Sequence, residues 1–295
     1  MMLVTRTDLP GLPPPRRGKV RDLYDLGDEF LIVATDRVSA FDVILPDPIP
    51  DKGRVLNGLA AYWFAQTSQI LPNHLLTADF EEFPQALAPF REILADRSML
   101  VRKARILPVE CVVRGYLTGS AWSEYKKTGR VGEYVLPSGL RESERLPESL
   151  FTPTTKAEAG HDLPMTFADL ERSAGAEVAA KLRAASMALY RAGAARAEEA
   201  GVILADTKFE FGCLGEELLV VDEMLTPDSS RFWPLAGYRP GRPQPSFDKQ
   251  FIRDHLESRG WDKRPPAPPL PTAVIEGTAN RYREAYELLT GRALS

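Results

Sequence analysis

The segment from Ala205 to Gly215, ADTKFEFGCLG, with ELLVVDEM ending at Met224, constrains this chain more than any other stretch. Read as a strand from Val202 to Phe211, its period of two puts Asp206, Lys208 and Glu210 on one face. Thr207, Phe209 and Phe211 then take the opposite face and pack. Turn residues around Cys213 to Glu216 permit a hairpin into the apolar run Leu218 to Val221, which brings Asp222 and Glu223 beside the ionisable row. Alternating charge on a strand is most often the solvent face of a half-buried sheet. A lysine among four carboxylates, fixed on sheet rather than loop, is also a seat for Mg²⁺ and a phosphate, and the rest of the chain has to decide between the two readings.

Composition sets the class. With 295 residues, 44% of them hydrophobic and 26% charged, the chain can bury a substantial core and is long enough for two lobes. Its longest apolar runs are too short to span a bilayer, and MMLVTRTDLPGLPPPRR lacks the apolar centre of a signal peptide, so the cytoplasm is the expected location. Cys111 and Cys213 are too few for a disulfide framework, and His74, His161 and His255 stand apart without zinc spacing. Any metal is therefore expected on oxygen ligands. A net charge of −4 and a pI of about 5.6 give no global basic field for nucleic acid or membrane. Anionic ligands need a local pocket.

The pattern along the chain predicts a hairpin from Gly18 to Ala34, with KVRDLYD and FLIVA as strands, resembling a phosphate-covering flap. Val55 to Thr67 carries apolar residues at helical spacing, and Met99 to Arg105 reads as a strand. Pro108 breaks the following run and marks a crossover, giving an N-terminal β-rich lobe over residues 1–108 and a larger α/β lobe over 109–295. Leu136 to Leu163, rich in Pro, Ser, Thr and charge, reads as one long loop able to close over substrate. Thr166 and Asp169 form a capping box for a long amphipathic helix that Gly201 ends. The tail carries helices at about Phe247 to Arg259 and Ala273 to Thr290.

Three further segments hold groups suited to phosphates. In GKVRD, Lys19 and Arg21 alternate on one strand face, where they and hairpin amides can hold a triphosphate; two basic residues on a strand are otherwise simply solvated. In VECVVRGYLTGSAW, Arg114 and Ser120 flank a Gly-Thr-Gly-Ser turn suited to a phosphomonoester. In TPDSSRFWP, Arg231 follows the charged hairpin and can reach the same site, or stack on Trp233.

GKVRDLYD, TDRVSAFD, DKGRVLN, PVECVVRGYLTGS, FTPTTKAE, ADTKFEFG and VVDEMLTPDSSRFW together resemble, in order and spacing, the blocks of the phosphoribosylaminoimidazole-succinocarboxamide synthase (SAICAR synthetase) family in its longer form. The resemblance runs from GKVRDLYD through the helix after SFDKQF. It implies an α+β fold of two lobes related to ATP-grasp enzymes and distantly to protein kinases, a small β-rich lobe over a larger α/β lobe with C-terminal helices. It implies an ATP-dependent ligase of purine biosynthesis that joins L-aspartate to the carboxylate of carboxyaminoimidazole ribonucleotide (CAIR) through an acyl phosphate. Carried over by motif, Lys19 and Arg21 meet the ATP phosphates and the backbone from Arg102 and Lys103 to Glu110 meets adenine. Glu210 and Asp222 hold Mg²⁺, Arg114, Ser120 and Arg231 hold the CAIR phosphate, and Asp206 and Lys208 face the reacting groups. Asp206 then either accepts a proton from the incoming ammonium or orients Lys208.

Asp36 and Ser39 in TDRVSAFD are candidates for substrate contact, with a scaffold role as the alternative, and Asp42 shares their block. In TTKAEAGHDLP, Ala159 and Leu163 dilute an acidic stretch, which leaves Lys156 rather than Glu158 or Asp162 as the candidate near aspartate. Lys249 in SFDKQF either reaches the cleft or, the favoured reading, lies on the surface. The polar composition and tail helices are compatible with a monomer. A small-molecule kinase of related fold would use the same lysine and metal row, but the set Arg114, Ser120 and Arg231 argues against it; a binding protein without turnover should have lost Lys208, Glu210 or Asp222.

Overall fold

The computed structural model describes residues 2–156 and 162–294. Two antiparallel sheets form its frame. The first runs, edge to edge, through Arg16–Arg17, Arg21–Asp25, Glu29–Ala34, Ser98–Arg102 and Leu75–Thr77. The second runs through Arg145–Phe151, Arg105–Tyr116, Val202–Leu214 and Glu217–Val221, with Thr154–Thr155 added to Arg105–Tyr116 and Ser230–Pro234 to Val202–Leu214. The chain leaves the first sheet at Arg102 and enters the second at Arg105. A second tie is the parallel bridge between Asn73 and Val220, where the His74 amide donates to the Val220 carbonyl at 3.0 Å.

One core spans both sheets. Helix Lys52–Thr67 sends Leu59, Trp63 and Phe64 against Ile32, Met99 and Val101 of the first sheet, and the same cluster continues into Phe209 and Phe211 of the second. Phe209 and Phe211 are fully buried, worth about 1.5–3 kcal/mol each in removed apolar surface. The strand Val202–Leu214 thus has the packing face its period predicts. Its other face is not solvent: Asp206 and Glu210 are buried as well, because they form the wall of a cleft.

Several expectations need correction. The strand begins at Arg21, so Lys19 lies in the tight turn after Arg16–Arg17, closed by the Gly18 amide on the Arg21 carbonyl at 2.8 Å. Pro108 does not break its strand. Arg105–Tyr116 is continuous, and its register against Val202–Leu214 slips between the Glu210–Glu110 and Gly212–Ile106 pairs, an irregularity that tolerates a residue without an amide proton. The stretch read as a loop from Leu136 to Leu163 contains the edge strand Arg145–Phe151, whose register also slips around Pro147. Edge position is what makes Pro147 acceptable there. Glu158 falls outside the described residues.

The capping box is present: the Thr166 hydroxyl accepts from the Asp169 amide, and the Asp169 carboxylate accepts from the Thr166 amide. The helix it starts is interrupted at Gly175 (φ 88°, ψ 147°), giving Phe167–Ala174 and Ala176–Glu199. The tail helices are Gln250–Ser258 and Thr272–Thr290. Among the described residues no helix is long and apolar enough to cross a membrane.

Candidate active site

Two cavities open on the polar face of Val202–Leu214. The larger, about 890 Å³, lies between the two sheets and is lined by Arg21, Glu110, Lys208, Glu210 and Asp222, together with Lys19, Ser39, Arg102 and Lys156. The smaller, about 260 Å³, takes Arg114, Ser120, Asp206 and Arg231. Alternate residues of one strand therefore step from one cavity to the other: Asp206 faces the smaller, Glu210 the larger, and Lys208 borders both. Spacing along a strand puts the outer two about 13 Å apart, with the lysine midway.

Every member of the row is paired with a side chain of opposite charge. The Asp206 carboxylate accepts from the Arg231 guanidinium and, at 3.4 Å, from Arg114. Lys208 donates diagonally to Glu110 of Arg105–Tyr116, which stands opposite Glu210, and Lys156 donates to Glu210. Glu110, not Asp206, therefore orients Lys208, a correction that follows from the strand order. Asp222, held at φ 67° just past the hairpin strand, accepts from Arg21, whose second nitrogen reaches Glu223 at 3.0 Å. Lys19 pairs with Asp42 across the mouth of the cleft.

The electrostatics follow from burial and these pairs. Burial works against the Lys208 charge, but Glu110, then Glu210 and Asp222, outweigh it and lift its pKa above the usual lysine value. These partners favour the charged form of Lys208. The Glu210 carboxyl is pushed up, first by burial and then by Asp222, with Lys156 and Lys208 offsetting part of the effect. Burial likewise raises Glu110 against the pull of Lys208. Burial lowers the Arg114 pKa, and Asp206 acts against that shift.

Asp36 lies elsewhere, and the Lys103 side chain turns away from the cavity that its neighbours Arg102 and Ala104 line. Asp36 is fully buried and lines neither cavity; its oxygens accept from the amides of Val4 (2.8 Å) and Gly53 (3.0 Å) and from Arg97 (3.1 Å). It ties the N-terminal segment to the start of helix Lys52–Thr67, the scaffold role. The Lys103 side chain turns to Asp25 at 2.5 Å and lies over the Phe30 ring, 4.6 Å from its centroid. Arg102 stays at the cleft, donating to the Asn73 carbonyl at 2.6 Å.

Other residues of the site escaped the sequence reading. Lys249 is not on the surface: its side chain is 12% exposed and faces Asp228 at 3.5 Å. The readable sign was its spacing, because Lys249, Ile252 and Leu256 form an i, i+3, i+7 stripe. Asp228 also accepts from the fully buried Lys52 at 2.8 Å and from the Tyr282 hydroxyl at 2.7 Å, fastening the tail to the site.

His74 lines the larger cavity and packs edge-on against Phe64. Burial, set against the charge and backbone carbonyl of Asp222, lowers its pKa to about 4. A histidine neutral in the fold but protonated when unfolded costs stability as pH falls below its unfolded value near 6.5, until the folded form also takes the proton near 4. That window corresponds to about 3 kcal/mol. His74→Phe is expected to flatten the loss of stability to denaturant between pH 6.5 and 4; a slope identical to wild type would show that His74 does not carry it.

The SAICAR synthetase family profile matches residues 15–268. The chain is 55% identical over 290 residues to the phosphoribosylaminoimidazole-succinocarboxamide synthase of Desulfosudis oleivorans, covering 98% of this chain and 99% of that one. It is 52% identical over 288 residues to the enzyme of the same name from Thermodesulfovibrio yellowstonii, with 98% and 99% covered. Among solved structures it resembles SAICAR synthase from Saccharomyces cerevisiae, solved with SAICAR, at a TM-score of 0.89 and 42% identity, with 98% and 99% of the chains covered. A SAICAR synthetase solved with ADP shares the fold at a TM-score of 0.69 and 20% identity, with 95% and 98% covered. Family profile, sequence and structure agree over nearly the whole length: the chain belongs to the SAICAR synthetase family, the carbon–nitrogen ligases that make phosphoribosylaminoimidazole-succinocarboxamide in purine biosynthesis.

Proposed function

We propose that this ligase binds ATP in the larger cavity and CAIR in the smaller one, activates the CAIR carboxylate as an acyl phosphate, and lets L-aspartate displace the phosphate. The observation that carries the reading is Lys208, a half-buried cation bordering both cavities between Asp206 and Glu210. The ADP in one structural relative and SAICAR in another support the two ligand classes.

A carboxylate is a poor acylating agent, so phosphorylation has to come first. That step brings two anions together. Triphosphate, phosphomonoester and substrate carboxylates carry roughly eight negative charges, about −2 on the monoester alone. One like-charge pair at 4 Å costs about 4 kcal/mol at an effective dielectric of 20. Arg21 and Lys19 would neutralise the triphosphate, Arg114 and Arg231 the monoester with help from Ser120, and Lys208 the oxygens between them. Asp206 holds both arginines in position.

Glu210 and Asp222 fit Mg²⁺. Both line the larger cavity and the Asp222 charge raises the Glu210 pKa, so a divalent cation would relieve a repulsion the fold already contains. Two carboxylates suit an ion that takes one or two of them and completes its shell with phosphates and water. When bound it would neutralise charge on the phosphate oxygens. Arg21 and Lys156, which now occupy those carboxylates, would be released toward the ligands.

ADP and phosphate are expected to form from ATP in magnesium only when CAIR and L-aspartate are both present, in equal amounts with SAICAR. Sustained ADP release without aspartate and without free phosphate would replace this reading with a kinase, ADP with phosphate would point to a leaking acyl phosphate, and no turnover would overturn it.

A further inference from the structure

Resting on that reading, the reacting bond has to form where the cavities meet. Besides Lys208 and Asp228, two basic residues border both: Lys249 and Arg253. They sit four apart at the start of helix Gln250–Ser258, the Arg253 amide donating to the Lys249 carbonyl at 3.0 Å, and so share one helix face. Ile252 and Leu256 of the same helix are buried against the apolar cluster around Val38 and Ile49, which fixes where the two cations stand.

Lys249 has one long ion pair, to an Asp228 carboxylate that is shared, and Arg253 has none among the described residues. Asp228 already takes Lys52 at 2.8 Å and Tyr282 at 2.7 Å, leaving Lys249 at 3.5 Å. Asp248 is committed to the Ser246 hydroxyl at 2.7 Å and the Gln250 amide at 2.6 Å. The Arg253 guanidinium makes no hydrogen bond or ion pair with another described residue, whereas Arg21, Arg114 and Arg231 are all engaged. Burial, then Lys52 and Arg253, work against the Lys249 charge, with Asp228 opposing them. Partly buried positive charge with spare donors is costly until an anion arrives.

We propose that Lys249 and Arg253 seat the reacting carboxyl group, and the phosphoryl group it acquires, at the wall shared by the two cavities. In the first step a carboxylate oxygen bonds to the γ-phosphorus while the bond from that phosphorus to the ADP oxygen breaks, its electron pair leaving on ADP. In the second the aspartate nitrogen bonds to the acyl carbon, the carbon–oxygen bond to phosphate breaks, inorganic phosphate departs, and the two surplus protons of the ammonium pass to phosphate and solvent. Lys249 and Arg253 take no proton in either step. They hold the oxygens whose charge changes, a contact stronger in the transition state than in the ground state.

The test is steady-state kinetics of Arg253→Met, Arg253→Lys and Lys249→Met beside the wild type, with ATP, magnesium, CAIR and L-aspartate. Arg253→Met is expected to lower kcat about 100-fold while the KM for ATP changes less than about threefold, with Arg253→Lys recovering about tenfold and the melting temperatures of both Arg253 variants unchanged. Lys249→Met should lose kcat to a similar extent. A kcat within about threefold of wild type in both methionine variants, or a loss appearing only as a raised KM for ATP, overturns the assignment. Absence of wild-type turnover overturns the proposed function itself and this assignment with it, so the two failures are distinguished by the wild-type arm.

Discussion

Lys208→Met is expected to lower kcat by a thousandfold or more, on the order of what a charge-stabilising cation contributes in phosphoryl transfer, while the KM values for ATP and CAIR stay within about threefold. The reason is its place rather than its charge alone. Arg21 and Lys19 serve one cavity and Arg114 and Arg231 the other, whereas Lys208 is the member of the row that borders both. Glu110, then Glu210 and Asp222, keep it protonated against burial, so its charge is present throughout the working pH range. The variant leaves Glu110 buried without its ammonium partner, and that carboxyl already has a pKa raised by burial, so it can escape the cost by taking a proton. Adding Glu110→Gln separates folding from chemistry: the double variant should regain any lost melting temperature and none of the lost kcat. A single variant retaining more than a tenth of wild-type kcat would remove Lys208 from the centre of the mechanism.

The chemistry was legible in the sequence where it followed the period of a strand. Asp206, Lys208 and Glu210 do share a face, Asp222 and Glu223 do return beside them, and Arg114, Ser120 and Arg231 do meet, because a two-residue hairpin register and a neighbouring strand leave little freedom. What the period cannot supply is which charge pairs with which. That Glu110 rather than Asp206 holds Lys208 depends on the register of Arg105–Tyr116 against Val202–Leu214, a pairing of residues 98 positions apart. Asp36 and Lys249 stayed open between two roles for a related reason. Each is a charged residue in a polar-looking segment, and only tertiary packing decides that one supports the N-terminal segment while the other is buried at the cleft. Edge strands were the remaining loss: Pro147 in RLPESLF reads as a loop signal, yet an edge strand has no ladder there for proline to break.

Glu210→Gln is expected to lower kcat about a thousandfold, the scale on which losing metal-borne charge neutralisation acts in phosphoryl transfer, without lowering the melting temperature at neutral pH. Burial and then Asp222 raise the Glu210 pKa in the fold. An acid with a raised folded pKa keeps its proton longer folded than unfolded, so as pH rises from the ordinary glutamate value through the folded one, stability falls and stays lower above that window. The amide introduced by the substitution carries no charge to desolvate, and removing the carboxylate lifts that penalty. Lys156, its present partner, is 38% exposed and can rehydrate when released. Activity and stability should therefore move apart, as they do where a site retains a charge the fold would rather not bury. Magnesium with ADP should raise the melting temperature of the wild type and leave that of Glu210→Gln nearly where ADP alone leaves it. A variant that melts several degrees lower, or that keeps the magnesium-dependent rise, would show Glu210 to be part of the scaffold and not of the metal site.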